Sequence, residues 1–341
     1  MANEQKRPIV IAEAGVNHNG DINLAMQLVD IAASAGADYV KFQTFKAEKL
    51  ATYEAEKAPY QHRSAGGTQL ELLKALELSY SDFERLSSYA KRKNLGFLST
   101  AFDLESLAFV ISLRPDFLKI PSGEITNIPL LKMAGSSGIP VIMSTGMSDI
   151  TEVSSAVKIL LDAGLKRKNL ILLQCSSAYP APISEAHLRV IPEYAKIFKT
   201  KVGYSDHTLG VVGAIAAVAL GAVVIEKHFT LDKDMNGPDH AASLDPEELS
   251  LLISSLEDVV DALGSPSKSV TPCEFENRKV VRRSIVAAKN ISKGSTIGPA
   301  DLVLKRPGFG LPPNQLDVVI GSVALRDISA DELLDFECFS R

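Results

Sequence analysis

The 341-residue chain is 46% hydrophobic and 23% charged, ordinary globular usage that argues against a disordered or fibrous chain and leaves room for one large domain and a small one. A formal net charge of −5 argues against a surface that tracks nucleic-acid phosphates, which needs clustered Lys and Arg. Cys175, Cys273 and Cys338 cannot all pair and lack metal-ligand spacing, so they read as free thiols of a reducing compartment.

Residues 1–8 are polar and lack the apolar stretch of a secretory signal. The most apolar segment, 209–225, is interrupted by Gly210, Gly213 and Gly221 and falls short of the roughly 20 residues of a membrane span. A cytoplasmic protein without a membrane partner is the expectation.

The first β-rich run, 9–13, ends in Glu13 and leads into Val16-Asn17-His18-Asn19-Gly20, where Asn17 and His18 either form the turn or touch a substrate. Asp21 then caps a helix whose Leu24, Leu28, Ile31, Ala32 and Ala35 recur at helical spacing, and Gly36 ends it. The second run, 39–43, carries Lys41 and Gln43. Ser81 with Glu84 has capping-box spacing ahead of the third run, 96–100, which ends in Ser99-Thr100. The fourth, 117–120, presents Lys119 before Ser122 and Glu124, and the fifth, 141–144, closes on Ser144-Thr145. After the sixth, 170–175, come Ser176-Ser177 and Tyr179-Pro180; the seventh, 201–205, runs into Ser205-Asp206-His207, and the eighth, 223–228, ends Glu226-Lys227-His228. A turn-rich segment with Asp239 and His240 precedes Asp245-Pro246-Glu247-Glu248, which starts a last helix stopped by Gly264.

Eight near-continuous apolar runs alternating with helical patterns predict a parallel (β/α)8 TIM barrel over residues 1–264. The Ser- and Pro-rich stretch 265–283 reads as a linker. Residues 284–341 read as a small second domain in which 288–297 is weakly echoed by 325–334. A domain this small is marginal alone and is expected to dock on something.

Reactive groups of such a barrel gather where its strands end, and here nearly every run ends polar. Lys41 and Lys119 with several hydroxyls suit a phosphate, the ammoniums neutralising charge and the hydroxyls donating to oxygens; the bland alternative is lysines that merely snorkel out of the barrel. His207 and His228 close neighbouring runs and are placed to share one divalent ion with open positions. Glu13, an acid in an apolar strand, needs a partner such as a sugar hydroxyl or a metal-bound water. Tyr179 either packs on a sugar face or anchors its loop.

The motifs Ala12-Glu-Ala-Gly-Val-Asn-His-Asn-Gly20, Lys41-Phe-Gln-Thr44, Phe97-Leu-Ser-Thr100, Lys119-Ile-Pro-Ser-Gly-Glu124, Ser144-Thr-Gly-Met147, Tyr204-Ser-Asp-His-Thr208, Glu226-Lys-His-Phe-Thr230 and Gly237-Pro-Asp-His240 together resemble the sialic acid synthases, including the legionaminate and pseudaminate synthases. The resemblance covers essentially the whole chain. It implies a transferase that condenses phosphoenolpyruvate with an N-acetylated mannosamine-type sugar and water, releasing phosphate. N-acetylneuraminate synthase is the first reading and N,N'-diacetyllegionaminate synthase the alternative, since Lys57-Ala-Pro-Tyr-Gln61 and Asp239-His240 resemble both. Carried over residue by residue, it assigns Lys41, Thr100, Lys119, Ser122, Ser144, Ser177 and Ser205 to phosphoenolpyruvate. It assigns Glu13, Gln43, Tyr179, Asp239 and Arg306 to the amino sugar, and His207 and His228 to a metal, usually Mn2+ with Mg2+ or Co2+ possible. Asp206 falls within a matched motif and is counted among the substrate-binding residues. The segment with Lys305-Arg306-Pro307 is similar to the family's antifreeze-like (SAF) domain, which implies a homodimer with that domain swapped over the partner's barrel mouth, where Arg306 completes the sugar site.

Two other classes compete. A Schiff-base aldolase would use Lys41 or Lys119, but needs neither paired histidines nor a ring of hydroxyls; a non-catalytic sugar-phosphate binding protein would need neither Glu13 nor the histidines.

Overall fold

The computed structural model describes residues 7–57 and 67–340. Residues 1–6 of the polar N-terminus and 58–61 of the acceptor-related segment lie outside them. Among the described residues eight parallel strands close in chain order: β1 (Ile9–Gly15), β2 (Tyr39–Thr44), β3 (Gly96–Ala101), β4 (Leu118–Ile120), β5 (Val141–Ser144), β6 (Leu170–Cys175), β7 (Lys201–Asp206) and β8 (Val224–His228), with β8 pairing back onto β1. This is the (β/α)8 barrel expected from the alternation.

Strand side chains alternate in direction, which sorts them into two cores. Outward Val10, Val40, Leu172 and Ile225 pack with the surrounding helices. Inward Ile11, Leu98, Ile142, Ile171, Leu173 and Val224 form a separate apolar cluster inside the barrel. Two residues further along the same strands, the inward positions become Glu13, Thr100, Ser144, Cys175 and Glu226, all buried. The apolar floor therefore fixes which residues of each strand end face the mouth.

The helices start where their caps dictate. The Asp21 side chain accepts the Asn23 N–H at the start of Ile22–Ala35, and Gly36 closes that helix at φ 84°. Asp245 and Glu248 form a reciprocal capping box before Pro246–Leu263. The cap read at Ser81 and Glu84 lies elsewhere: Ser79 and Asp82 make the box, and the helix runs Tyr80–Arg92. Both spacings satisfy the motif, but the earlier start brings the Tyr80 ring onto Phe109 at 4.2 Å between centroids.

The chain divides into two compact units, Met1–Gly264 and Ser265–Arg341. The stretch 265–283 is more than a linker, since it carries the helix Phe275–Val281, and it groups with the C-terminal unit. In that unit Ser284–Ala287 pairs antiparallel with Leu302–Lys305, and Val323–Ala324 with Phe339–Ser340. The internal echo has a structural counterpart: equivalent residues Ile291 and Ile328 exchange both backbone hydrogen bonds, each 2.9 Å, and both enter the small core.

Candidate active site

The barrel's C-terminal mouth opens into a cavity of about 400 Å3, within the range of small-molecule sites. Twelve of the fifteen residues expected at the site line it: Glu13, Lys41, Gln43, Thr100, Lys119, Ser122, Ser144, Ser177, Tyr179, Ser205, His207 and His228.

At its base four buried charges alternate. The Lys41 Nζ lies 2.9 Å from Glu13 Oε2 and 3.7 Å from Glu226 Oε2, and Lys119 Nζ lies 3.4 Å from Glu226 Oε1. Each ammonium also donates to a hydroxyl, Lys41 to Thr100 at 2.9 Å and Lys119 to Ser144 at 2.8 Å, while Ser205 donates to Glu226 at 2.9 Å. Burial alone would raise the Glu226 carboxyl, but Lys119 and Lys41 outweigh it and hold it at about 2. For Glu13 burial wins over Lys41, and the nearby Glu226 charge adds to it, so its carboxyl rises to about 7. Two carboxylates driven apart in this way give one permanent anion and one proton carrier near neutrality.

That shift predicts a pH dependence. Glu13 is protonated more readily in the folded chain than at its ordinary 4.5, so its contribution to stability is full below that pH and is lost as pH rises towards 7. The unfolding free energy of the wild type minus that of Glu13→Gln should accordingly fall across this window and then level off. Denaturant melts at several pH values check it, and a flat difference would contradict it.

The anion end is shaped by backbone as well as charge. Gly146 N donates to Ser122 Oγ at 2.9 Å, and a Cβ on Gly146 would lie 2.3 Å from Ser177 Oγ and 2.9 Å from Ser122 Oγ. Gly146→Ala should displace both hydroxyls. Losing two ordinary hydrogen bonds, about 2 kcal/mol, weakens phosphate or phosphoenolpyruvate binding roughly 30-fold, read by calorimetry.

The His207 and His228 rings stand 5.4 Å apart between centroids, and Tyr179 lies against the first, tilted by 35° at 4.1 Å, and meets the second edge-on at 5.5 Å. His207 Nδ1 is 2.7 Å from the Ser176 carbonyl; donating there leaves Nε2 with a free lone pair. Burial, then the positive charges of His207 and Lys41, hold His228 well below its ordinary value, so it is neutral. His228 Nδ1 is buried without a hydrogen-bond partner. Burial lowers His207, but Cys175 and the Ser176 carbonyl outweigh it and raise the ring above its ordinary value; with that proton released, one nitrogen from each imidazole fits a divalent ion whose remaining positions belong to water and substrate. Among the described residues no cluster of three or more His, Cys, Asp or Glu forms a closed metal site.

Three expected residues sit elsewhere. Asp206 is not a substrate-binding residue of the cavity: it points away, where it takes the Lys227 ammonium at 2.8 Å and the Thr208 N–H and hydroxyl at 2.9 and 2.7 Å. It lies between inward Ser205 and His207, and alternation turns it outward. Asp239 is buried behind the rim with Oδ2 4.0 Å from His228 Nδ1, and burial raises its carboxyl to about 6 against His207. Arg306 follows the strand Leu302–Lys305 in the C-terminal unit and is exposed. For Asn17, His18 and His240 the structural roles are filled. The Asn17 amide donates to the Phe229 carbonyl and Ser243 Oγ, His18 Nδ1 accepts from Gly20 N, and His240 bonds Thr230 and Asn19.

Glu226 and Cys175 line the cavity although neither is among the residues expected there. Strand parity is the signal that finds both: Glu226 shares the inward direction of His228, and Cys175 that of Leu173. Leu50, Gln69, Leu73 and Phe102 also line it, from loops and helices that carry no such signal.

A closed parallel barrel with two buried ammoniums, a ring of hydroxyls and two imidazoles at its mouth defines a barrel enzyme of the kind that handles a small anionic substrate. The NeuB family matches residues 28–268 and the SAF domain residues 282–340; the chain belongs to the NeuB family and ends in a SAF domain, as the motif resemblance implies. It is 45% identical to the N,N'-diacetyllegionaminic acid synthase of Campylobacter jejuni, over 96% of this chain and 99% of that one. It is 47% identical to the protein of the same name from Legionella pneumophila, over 96% and 93%. Among solved structures, the N-acetylneuraminic acid (sialic acid) synthetase of Leptospira borgpetersenii is 34% identical and superimposes with a TM-score of 0.72 over 80% of this chain and 90% of that one.

Proposed function

We propose that this chain is an N,N'-diacetyllegionaminate synthase. It joins C3 of phosphoenolpyruvate to the aldehyde carbon of 2,4-diacetamido-2,4,6-trideoxymannose; water adds at C2, and phosphate leaves by C–O cleavage. The observation that carries the choice of acceptor is the 45% and 47% identity, across nearly full lengths, to two proteins named for that product, against 34% for the sialic acid synthetase. It moves the reading from N-acetylneuraminate synthase, the first reading of the motifs, to the legionaminate alternative.

In this reading Lys41 and Lys119, spaced by Glu226, neutralise the carboxylate and phosphate of phosphoenolpyruvate, and Thr100, Ser122, Ser144, Ser177 and Ser205 donate to their oxygens. A divalent ion, Mn2+ before Mg2+ or Co2+, held by His207 and His228, would supply Lewis-acid polarisation of the sugar carbonyl. Tyr179 and Gln43 orient the sugar above the charged layer. Glu13, titrating near neutrality, gives or takes a proton at its carboxyl as water adds and phosphate departs. Lys41 is held as an ammonium by Glu13 and Glu226, which outweigh its burial; that favours anion binding over a Schiff base at this position.

The same reading includes a cytoplasmic homodimer whose C-terminal domain covers the partner's barrel mouth, with Arg306 reaching the sugar. Its support is that exposed apolar side chains follow five successive strand ends, Leu104, Ile128, Met147, Ile183 and Leu209 after β3 to β7, with Met147 73% exposed. Such a surface asks for a cover. Mixing inactive Arg306→Ala and His207→Ala chains, after exchange of subunits, should restore part of the turnover; none would be restored if each site were complete within one chain.

The test of function is phosphate release by metal-stripped protein given phosphoenolpyruvate and, in parallel, 2,4-diacetamido-2,4,6-trideoxymannose or N-acetylmannosamine, with and without Mn2+. Metal-dependent release with the diacetamido sugar is expected. Release with N-acetylmannosamine alone would return the reading to neuraminate synthesis, and release indifferent to metal would overturn the proposed chemistry.

A further inference from the structure

The lysines and hydroxyls of the anion site rise from β2 to β7, and the imidazoles stand at β7 and β8. Of the lining claimed by neither, Pro121, Gly123 and Met147 follow β4 and β5, and the rest is a wall over β2 and β3 made by Leu50, Leu73 and Phe102, with Gln69 beside it. The three apolar residues pack with Val16, Phe45, Ala47, Leu70 and Leu76 in one cluster, and Phe45 meets Phe102 edge-on at 6.3 Å. The wall therefore has solid backing and keeps its apolar face toward the cavity. Gln69 opens the helix Gln69–Leu76, whose start is pinned by the Thr68 and Glu71 capping box. Its amide has no hydrogen-bond partner among the described residues.

We propose that this wall selects the acceptor. The C6 methyl of a 6-deoxy sugar packs on Leu50, Leu73 and Phe102, and the second acetamido group exchanges hydrogen bonds with Gln69. The inference rests on the legionaminate reading and adds the residues that enforce it. With its carbonyl carbon at the imidazoles beside phosphoenolpyruvate, the sugar lays its far end on this wall, the largest apolar group of side chains in the lining. A C6 hydroxyl against Leu50, Leu73 and Phe102 would leave water and face hydrocarbon while Gln69 is engaged by the acetamido group, and the site disfavours a polar group left unpaired in that way. A methyl gains burial at the same place. Gln69 can both donate and accept, which suits an amide with one N–H and one carbonyl.

The experiment compares kcat/KM on the full chain with Mn2+ for four acceptors: 2,4-diacetamido-2,4,6-trideoxymannose, its 6-hydroxy counterpart, its counterpart with a hydroxyl at C4, and N-acetylmannosamine. Because each result is a ratio measured on one protein preparation, partial misfolding of a variant cancels. The wild type should favour the methyl over the C6 hydroxyl by about 100-fold, the scale at which apolar pockets reject an added hydroxyl. Leu50→Ser and, separately, Phe102→Ser should bring that ratio down to about tenfold or less, while Leu73→Met, which keeps an apolar face of similar volume, preserves it. Gln69→Ala should narrow only the ratio at C4. A wild-type ratio near one at C6, or a ratio unmoved in both serine variants, overturns the wall. Turnover of N-acetylmannosamine with neither diacetamido sugar accepted overturns the legionaminate reading itself, a result distinct from failure of the wall.

Discussion

Replacing Glu226 by Gln should lower the unfolding free energy by about 3–5 kcal/mol in phosphate-free buffer, the usual cost of removing one partner from a buried ion pair. Glutamine keeps the shape and can still accept from Ser205. The counter-charge shared by Lys41 at 3.7 Å and Lys119 at 3.4 Å is gone, from a site where the side chains of Lys41, Lys119 and Glu226 are 3–5% exposed. Two like charges then face each other without water to screen them. Phosphate or phosphoenolpyruvate should stabilise the variant by more than it stabilises the wild type, since an anion can replace the missing carboxylate and binding to the folded state alone raises stability by mass action. The wild type has an acid limb of its own. Its Glu226 is held near 2, below the ordinary 4.5, so its contribution is present above 4.5 and lost as pH falls through 2; the Gln variant lacks that limb. Denaturant melts with and without phosphate measure both effects. A variant as stable as wild type would show that the quartet does not hold the lysines.

His207→Ala should abolish high-affinity Mn2+ binding, read by calorimetry, and reduce metal-dependent phosphate release by about 1,000-fold. Lewis-acid stabilisation is worth several kcal/mol, and each 1.36 kcal/mol is tenfold in rate. Two ligands from the chain leave no spare, because among the described residues no third His, Cys, Asp or Glu completes a cluster. The variant also loses the bond to the Ser176 carbonyl and the ring contact with Tyr179, so its melting temperature is needed beside the activity. Metal binding and metal-dependent release surviving in a folded His207→Ala protein would remove the imidazole pair from the mechanism.

The barrel was legible because buried parallel strands must be apolar throughout and helices must repeat every three or four residues. Strand limits read from composition fall within two residues of β1 to β8. Where two local solutions were equally good, the sequence did not choose: Ser79 with Asp82 and Ser81 with Glu84 both fit a capping box, and Tyr80 packing on Phe109 favours the first. The helix Phe275–Val281 was hidden for another reason. It buries none of its residues, so it shows no amphipathic stripe to read.

Local chemistry by itself determined that polar groups collect at the strand ends, because each strand must leave its apolar core somewhere and these leave it through Lys, Ser, Thr, Glu and His. Only the closed barrel decided which of them act together. Lys41, Lys119 and Glu226 come from β2, β4 and β8, far apart in sequence, and become one electrostatic unit when the sheet closes β8 against β1. Closure also sent Asp206 outward to Lys227 while turning its neighbours Ser205 and His207 to the cavity. Direction and distance across a dry interior govern these interactions, and both are set by the fold.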